Sequence, residues 1–346
     1  MNETMTTSPL LADPTLRSAA PAARHPRFWR VGTIAGALLG LVLLVAAWAK
    51  AIDPLAFAGQ IRTEKLDFLF SAETVALIAI ALEVGLGLAL LLGIRRLWVM
   101  VPATLLVVFF VFLTGRTYWL SAHGLLPEAA SCGCFGNLVQ RSPAEAFWQD
   151  LLMLVPPLLM AFLGRDRRGR VFPPVRTAVV AAVTMAALLF AWKAPGLPLD
   201  NVATRLHPGV AVHDLCAGAG DQAVCLDGVA SGLKQGNHLV VLANLDDPEI
   251  AKIVERLNGY AESATSPESR VWLLSSSAPE MHRAFFWQWG PRFEVVEAPE
   301  PLLRPLYRRL PRSFRVENGQ VVETFSGLPP APPTPQTATA QARTAS

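Results

Sequence analysis

Charge is scarce in this chain. Only 16% of its 346 residues are Asp, Glu, Lys or Arg, against 52% apolar, where soluble globular proteins carry about a quarter charged residues. With a mean hydropathy of +0.37, that deficit excludes an ordinary soluble enzyme and a chain disordered throughout. A formal net charge of +3 is too small to argue for nucleic acid, so the basic residues read as topology signals. The sequence also lacks a phosphate-binding loop, a Gly-rich dinucleotide fingerprint after a strand and a His-Glu metal motif, which leaves energy-coupled transport and cofactor-dependent metabolism without support. Cysteine is limited to Cys132, Cys134, Cys216 and Cys225.

The apolar residues gather in runs near the 20 or so needed to cross a bilayer. Residues 31–49 and 97–115 contain no charge, 74–94 only Glu83, and 146–164 carries Asp150 and Pro156-Pro157; a shorter run covers 177–192. Five spans are expected. The first runs straight into Lys50-Ala51-Ile52-Asp53 without a small-residue cleavage site, so it reads as retained and not as a signal peptide. Eleven Lys and Arg residues flank the ends that share a side with the N-terminus, and five lie in the two short loops opposite. The excess places the N-terminus in the cytoplasm and, with an odd number of spans, the C-terminal domain outside.

On that topology all four cysteines face the oxidising side, as disulfide chemistry requires. The loop after the third span reads Ser131-Cys132-Gly133-Cys134-Phe135-Gly136-Asn137. One intervening glycine forces a Cys132–Cys134 bridge away from the preferred Cα separation, and strained bridges are the reducible ones. The pair reads as redox-active. The alternatives are structural or unpaired thiols, or a metal site for which only His123 is a nearby third ligand, and no metal is expected. Cys216 and Cys225 enclose eight residues with two glycines. They suit a stabilising bridge of about 2 to 3 kcal/mol, or a relay exchanging with Cys132 and Cys134 across an extended stretch from Pro195 to His213.

Charges within spans mark partners or sites. Glu83 sits near mid-membrane with no opposite charge of matching depth in view. It suits a quinone or proton path, or a neutral carboxylic acid bonded to a neighbouring helix. Lys50, Asp53, Glu73, Arg116 and Asp150 fall at the ends of their spans nearest the cysteine loop. They could gather beside it, where a cation would lower a thiol pKa, or they could be interfacial ion pairs. Ser142-Pro143-Ala144-Glu145 carries the signature of a capped helix start for the fourth span.

Beyond Pro195-Gly196-Leu197-Pro198 the composition is that of a small soluble domain. Strands are expected at 238–245, 270–274 and 293–296, helices at 248–260 and 278–289, and a terminal hairpin over 313–322 turning at Asn318-Gly319. Phe285, Phe286, Trp287 and Trp289 cannot all face inward on one helix, so they form either a client surface or a packing patch. The chain then divides into an N-terminal segment 1–28, a transmembrane bundle 29–195, a linker 196–212, an α/β domain 213–328 and a Pro/Thr/Ala-rich tail 329–346 that cannot bury a core.

Ala49-Lys50-Ala51-Ile52-Asp53-Pro54 with Phe57-Ala58, Glu83-Val84-Gly85-Leu86-Gly87-Leu88, and Cys132-Gly133-Cys134-Phe135-Gly136 resemble the methylamine utilisation protein MauE family, within the wider DoxX-like membrane proteins, over about residues 30 to 165. The resemblance implies a multi-pass bacterial inner-membrane protein that matures an exported client such as a methylamine dehydrogenase subunit. The strand and helix order of the C-terminal domain, with Leu310-Pro311 before the hairpin, resembles the thioredoxin fold, which implies a cis proline at Pro311. Where that fold carries Cys-x-x-Cys, this chain has Asp246-Asp247-Pro248-Glu249, so the usual thiolate chemistry cannot run there. Three functions remain open: thiol-disulfide exchange on the client at Cys132 and Cys134, with a further thiol-disulfide partner; a non-catalytic assembly protein anchored in the lipid bilayer; and a quinone-linked oxidoreductase subunit.

Overall fold

The computed structural model describes residues 26–125, 142–165, 174–218, 223–263 and 269–332. Cys132 and Cys134 lie outside these residues, as do most of the N-terminal segment and the tail beyond 332. The membrane part consists of α1 (Pro26–Ile52), α2 (Pro54–Thr63), α3 (Ala72–Leu91), α4 (Leu97–Ala122), α5 (Pro143–Leu163) and α6 (Pro174–Lys193). Among the described residues five of these, all but α2, are long and apolar enough to cross a membrane. The helices outrun the apolar stretches that announce them. α4 continues seven residues past Gly115, because Arg116 and its neighbours end the apolar run and not the helix.

The helix starts follow from local chemistry. Asp53 caps α2, its Oδ1 accepting from the Ala56 N–H at 3.1 Å, with Pro54 at the first helical position. α5 opens with a full capping box between Ser142 and Glu145 around Pro143. The short α2 was not expected; the Asp-Pro pair that starts it is legible in the sequence.

Apolar lipid gives helices little hydrophobic reason to associate, so close packing has to hold them, and small residues permit it. Gly32, Gly36 and Gly40 lie four apart along one stripe of α1. A Cβ on Gly40 would sit 2.5 Å from the Gly87 carbonyl oxygen, and one on Gly32 would sit 2.7 Å from the Gly164 Cα. α1 therefore crosses α3 at Gly40 and Gly87 and meets the end of α5 at Gly32 and Gly164. Exposed tryptophans band the bundle: Trp29 and Trp98 near the end where α1 begins, and Trp48, Trp119, Trp148 and Trp192 toward the other. At 1.5 Å rise, the nineteen residues from Trp29 to Trp48 span about 28 Å, close to a hydrocarbon core of about 30 Å.

The C-terminal part is a five-stranded sheet in the order β5-β4-β3-β6-β7, with a separate β1–β2 hairpin. β1 is Cys216–Ala217, β2 Val224–Cys225, β3 Asn237–Leu242, β4 Ser269–Ser275, β5 Glu294–Glu297, β6 Arg312–Glu317 and β7 Gln320–Ser326. β3, β4 and β5 run parallel; β6 and β7 are antiparallel to their neighbours. Alternation along β3 sends Val240 and Leu242 into one core with Phe314 and Leu306, and Leu239 and Val241 into another. That second face is covered by α9 (Ile250–Ser263) and α10 (Pro279–Trp289), and the first by the short helices α7 (Asp200–Ala203), α8 (Leu226–Val229) and α11 (Glu300–Leu303). Asn318 and Gly319 both take positive φ at the hairpin turn. A central parallel strand, a helix, a second parallel strand, then a cis Leu310–Pro311 bond and an antiparallel hairpin make a thioredoxin-like domain.

Two expectations are corrected here, the linker over 196–212 and the start of the tail at 329. Residues 200–212 do not act as a free linker: Leu206 and Val212 are core residues of the sheet domain, and Thr204 is buried. Cys216 and Cys225 stand opposite each other in the β1–β2 hairpin and are joined by a disulfide. At the other end, residues 329–332 lie along α9, where Tyr260 donates to the Ala331 carbonyl.

Candidate functional site at the junction of bundle and sheet

The sheet domain meets the bundle through the loop that carries the cis proline. α1 ends at Ile52, and α6 ends at Lys193 before a short turn over Ala194–Gly196. Helix C-termini leave carbonyls without intrahelical donors, and Arg308 supplies them. Its Nη2 donates to the carbonyls of Ile52 at 2.8 Å and Ala194 at 2.9 Å, and its Nη1 donates to Leu197 at 3.2 Å. The Nε lies 3.9 Å from Asp53 Oδ1, and both side chains are buried. One arginine, three positions before Pro311, thus ties two membrane helices to the sheet domain.

Around this tie lies a cleft of about 470 Å³. Asp53 and Leu55 line it from the bundle, 195–198 from the α6 exit, Arg308–Pro311 from the cis-proline loop, and Glu249 from the start of α9. Of the Asp246-Asp247-Pro248-Glu249 segment, Glu249 therefore faces the cleft. Burial pushes the Asp53 carboxyl above the usual carboxylate range, against the opposing pull of the Ala56 N–H and the Arg308 charge. Asp53 Oδ2 and Arg308 Nε have no hydrogen-bond partner among the described residues.

The intramembrane charges are arranged differently from the expectation. Glu83 does have an opposite charge: Lys50 bonds it directly, with both side chains sealed from solvent. The Lys50 ammonium also lies 5.0 Å from the Phe57 ring centroid and 4.7 Å from that of Phe110. Asp150, buried on α5, lines a small cavity beside Lys50. The pairing is hard to foresee because α1 stops short of the α3 start and α2 covers the first turns of α3 at Ala72 and Ala76. Lys50 thereby sits level with Glu83. Depths counted along each apolar run separately miss this offset.

The five end charges accordingly do not form one cluster. Lys50 turns inward to Glu83, Asp53 faces Arg308, and Glu73 and Arg116 form exposed pairs with Arg62 and Glu64. Those last two are interfacial ion pairs, worth about 0 to 1 kcal/mol each. Arg308 and Arg312 are the residues sequence reading passed over. Arg312 is buried under the sheet, where Nη1 and Nη2 donate to Thr204, Asn201 and the carbonyls of Leu206 and Leu306. Desolvation brings its pKa down to about 10. The signal available was a run of arginines flanking the proline, Arg308-Arg309-Leu310-Pro311-Arg312. On α10, Phe285 is buried and Trp287 is 90% exposed, so the aromatic cluster splits between core and surface.

With this geometry in place, residues 29–163 match the family model described as methylamine utilisation protein MauE, so the bundle is MauE-like. No curated protein matches the chain. Among solved structures, a Chlorobium tepidum protein described as a thiol:disulfide interchange protein DsbE is 18% identical, over 40% of this chain and 97% of that one, at a TM-score of 0.30. A secreted Mycobacterium tuberculosis disulfide oxidoreductase homologous to E. coli DsbE is 10% identical, over 40% and 95%, at 0.27. A thioredoxin-type protein from Neisseria meningitidis is 16% identical, over 40% and 87%, at 0.25.

Proposed function

We propose that this protein is a membrane-anchored thiol-disulfide exchange factor for an exported client, in which Cys132 and Cys134 are the exchanging pair. The sheet domain, without cysteine at its usual site, presents the client. The observation that carries the reading is the cleft. The cis-proline loop and the start of α9, where a thioredoxin-like domain would hold its own cysteines, are turned onto the bundle. The bundle supplies Cys132 and Cys134 from the segment between α4 and α5. Two contacts favour delivery to that end: Arg116 near the end of α4 pairs with Glu64 just past α2, and Tyr118 stacks on Phe147 at the start of α5.

In the exchange, a client thiolate attacks one sulfur of the Cys132–Cys134 bridge and releases the other as a thiolate. A second client thiolate then resolves the mixed disulfide. The client loses two electrons and two protons and the pair gains them; a disulfide-bearing partner protein returns the pair to its oxidised form. Cys216 and Cys225, closed across the β1–β2 hairpin, fit the stabilising bridge. The basic residues favour a cytoplasmic N-terminus and an exported sheet domain. The MauE resemblance makes a methylamine dehydrogenase subunit the first client to test.

The test is to acid-quench cells, alkylate free thiols with a mass tag and map all four cysteines by mass spectrometry. A Cys132/Cys134 pool that is part oxidised and shifts when client expression rises supports exchange, and Cys132→Ser with Cys134→Ser should leave the client reduced. A pair that stays reduced under every condition refutes it. The second reading, a non-catalytic assembly protein, rests on the missing cysteines at 246–249 and would then take its place.

A further inference from the structure

The cleft carries an acceptor and a donor that nothing among the described residues uses. Asp53 Oδ2 accepts no hydrogen bond and Arg308 Nε donates none, although both residues are more than nine-tenths buried and line the cleft. Buried polar atoms without partners are costly, charged ones most of all, so a native site that keeps two of them on facing side chains needs a reason. The other atoms of both side chains are committed. Asp53 Oδ1 holds the Ala56 N–H, and the Arg308 Nη atoms hold three helix-end carbonyls. What is left over is one acceptor and one donor, on side chains whose nearest charged atoms are 3.9 Å apart.

A ligand that satisfies both must offer a donor and an acceptor along the same edge. One residue of an extended polypeptide does this: its own N–H and C=O project from the same edge of the strand, so the N–H meets Asp53 Oδ2 and the C=O meets Arg308 Nε. The surroundings suit a peptide as well. The volume of about 470 Å³ lies in the range of small-ligand sites, and Leu55, Leu197, Leu310 and Pro311 give the walls apolar surface. The two atoms are sealed from water, so entry requires a wall side chain to swing aside. Leu55 and Leu197, at 36% and 39% exposure, are free enough to do so.

We infer that Asp53 of the bundle and Arg308 of the sheet domain together form a recognition site for the backbone N–H and C=O of one residue of an extended polypeptide, so that client binding is shared between the two parts of the chain. The inference rests on the client-directed function proposed above, but it involves no cysteine. Asp53 and Arg308 are binding and positioning residues; they touch no sulfur.

The test uses the full chain with C132S and C134S in lipid nanodiscs. The probe is a fluorescein-labelled, end-capped, cysteine-free octapeptide of alanine, serine and leucine, beside its fully N-methylated analogue. Fluorescence polarisation is followed to millimolar protein. The unmethylated peptide should bind, and N-methylation, D53N and R308K should each weaken it about tenfold or more, the effect of one lost hydrogen bond to a charged group. D53N keeps the Ala56 cap and replaces the free acceptor by a donor, and its helix content by circular dichroism serves as the folding control. Absence of binding to millimolar concentration, equal binding of the N-methylated peptide, or an unaffected D53N each overturns the inference. Binding that persists in a chain whose thiols prove inert would overturn the exchange function alone and leave this site standing.

Discussion

Arg308→Ala should release the sheet domain from the bundle while leaving both parts folded. The side chain donates to the carbonyls of Ile52, Ala194 and Leu197. Hydrogen bonds to a charged group are worth about 1.5 to 3 kcal/mol each, so simple addition gives roughly 4.5 to 9 kcal/mol for three. That sum is an upper limit, because water from the adjacent cleft would enter the vacated space and satisfy part of the exposed carbonyls. A loss of about 3 to 5 kcal/mol, the scale for removing one partner of a buried charge network, is the working value. Hydrogen exchange reads it directly. The Leu197 N–H donates to Ala194 at this junction, and its protection should fall by roughly two to three and a half powers of ten, at 1.4 kcal/mol per decade. Amides in the centre of β3 and α3 should keep theirs. Arg308→Lys, with one cation and fewer directed donors, should fall between. Protection of Leu197 within threefold of wild type in R308A would refute the argument that this arginine holds the two parts together.

Lys50→Met leaves the Glu83 carboxyl buried without its cation, at a cost of about 3 to 5 kcal/mol. Adding Glu83→Gln should recover most of it, and purely additive melting shifts in detergent would contradict the pairing. Gly40→Ala brings a methyl against the Gly87 carbonyl and should destabilise the bundle by about 1 to 3 kcal/mol or more, whereas Gly59→Ala meets nothing within 4 Å and serves as the matched control in the same melts. The Asp53 carboxyl sits above its ordinary range because it is buried. Its contribution to stability is therefore complete below about pH 3.9 and is lost as pH climbs through the higher folded value. Wild-type melting should decline over that window and Asp53→Asn should flatten it; identical pH profiles would show that Asp53 is not the group responsible.

The spans, the succession of strands and helices with its terminal hairpin, and the Ser142 cap were legible because each is written in a local pattern: apolar run length, strand alternation, an Asn-Gly turn, a capping box. Lys50–Glu83 was not, since its pairing depends on where α1 stops relative to α3, and that offset comes from the unexpected α2. The signal for α2, Asp53-Pro54, is an ordinary cap followed by an ordinary first-turn proline, but an apolar-run scan passes over ten residues of mixed character. Gly32, Gly36 and Gly40 show the same limit. Their spacing is visible, yet only the structure tells which partner helix each one admits. Arg308 showed in the sequence only as one of a run of arginines beside the proline; its role stayed hidden because its acceptors are carbonyls of residues more than a hundred positions away.

The Arg308–Ile52 contact joins residues 256 positions apart. At synthesis rates of about 5 to 20 residues per second, roughly 13 to 50 seconds separate the emergence of its two halves from the ribosome. Throughout that interval the first helix is complete but its terminal carbonyls lack the guanidinium that will hold them, so headgroup water has to serve in its place. Docking is then a late, post-insertion event whose timing is set by translation. A chain truncated before residue 308 would have every membrane helix and yet keep the rim around Ile52 and Ala194 in its nascent, hydrated form.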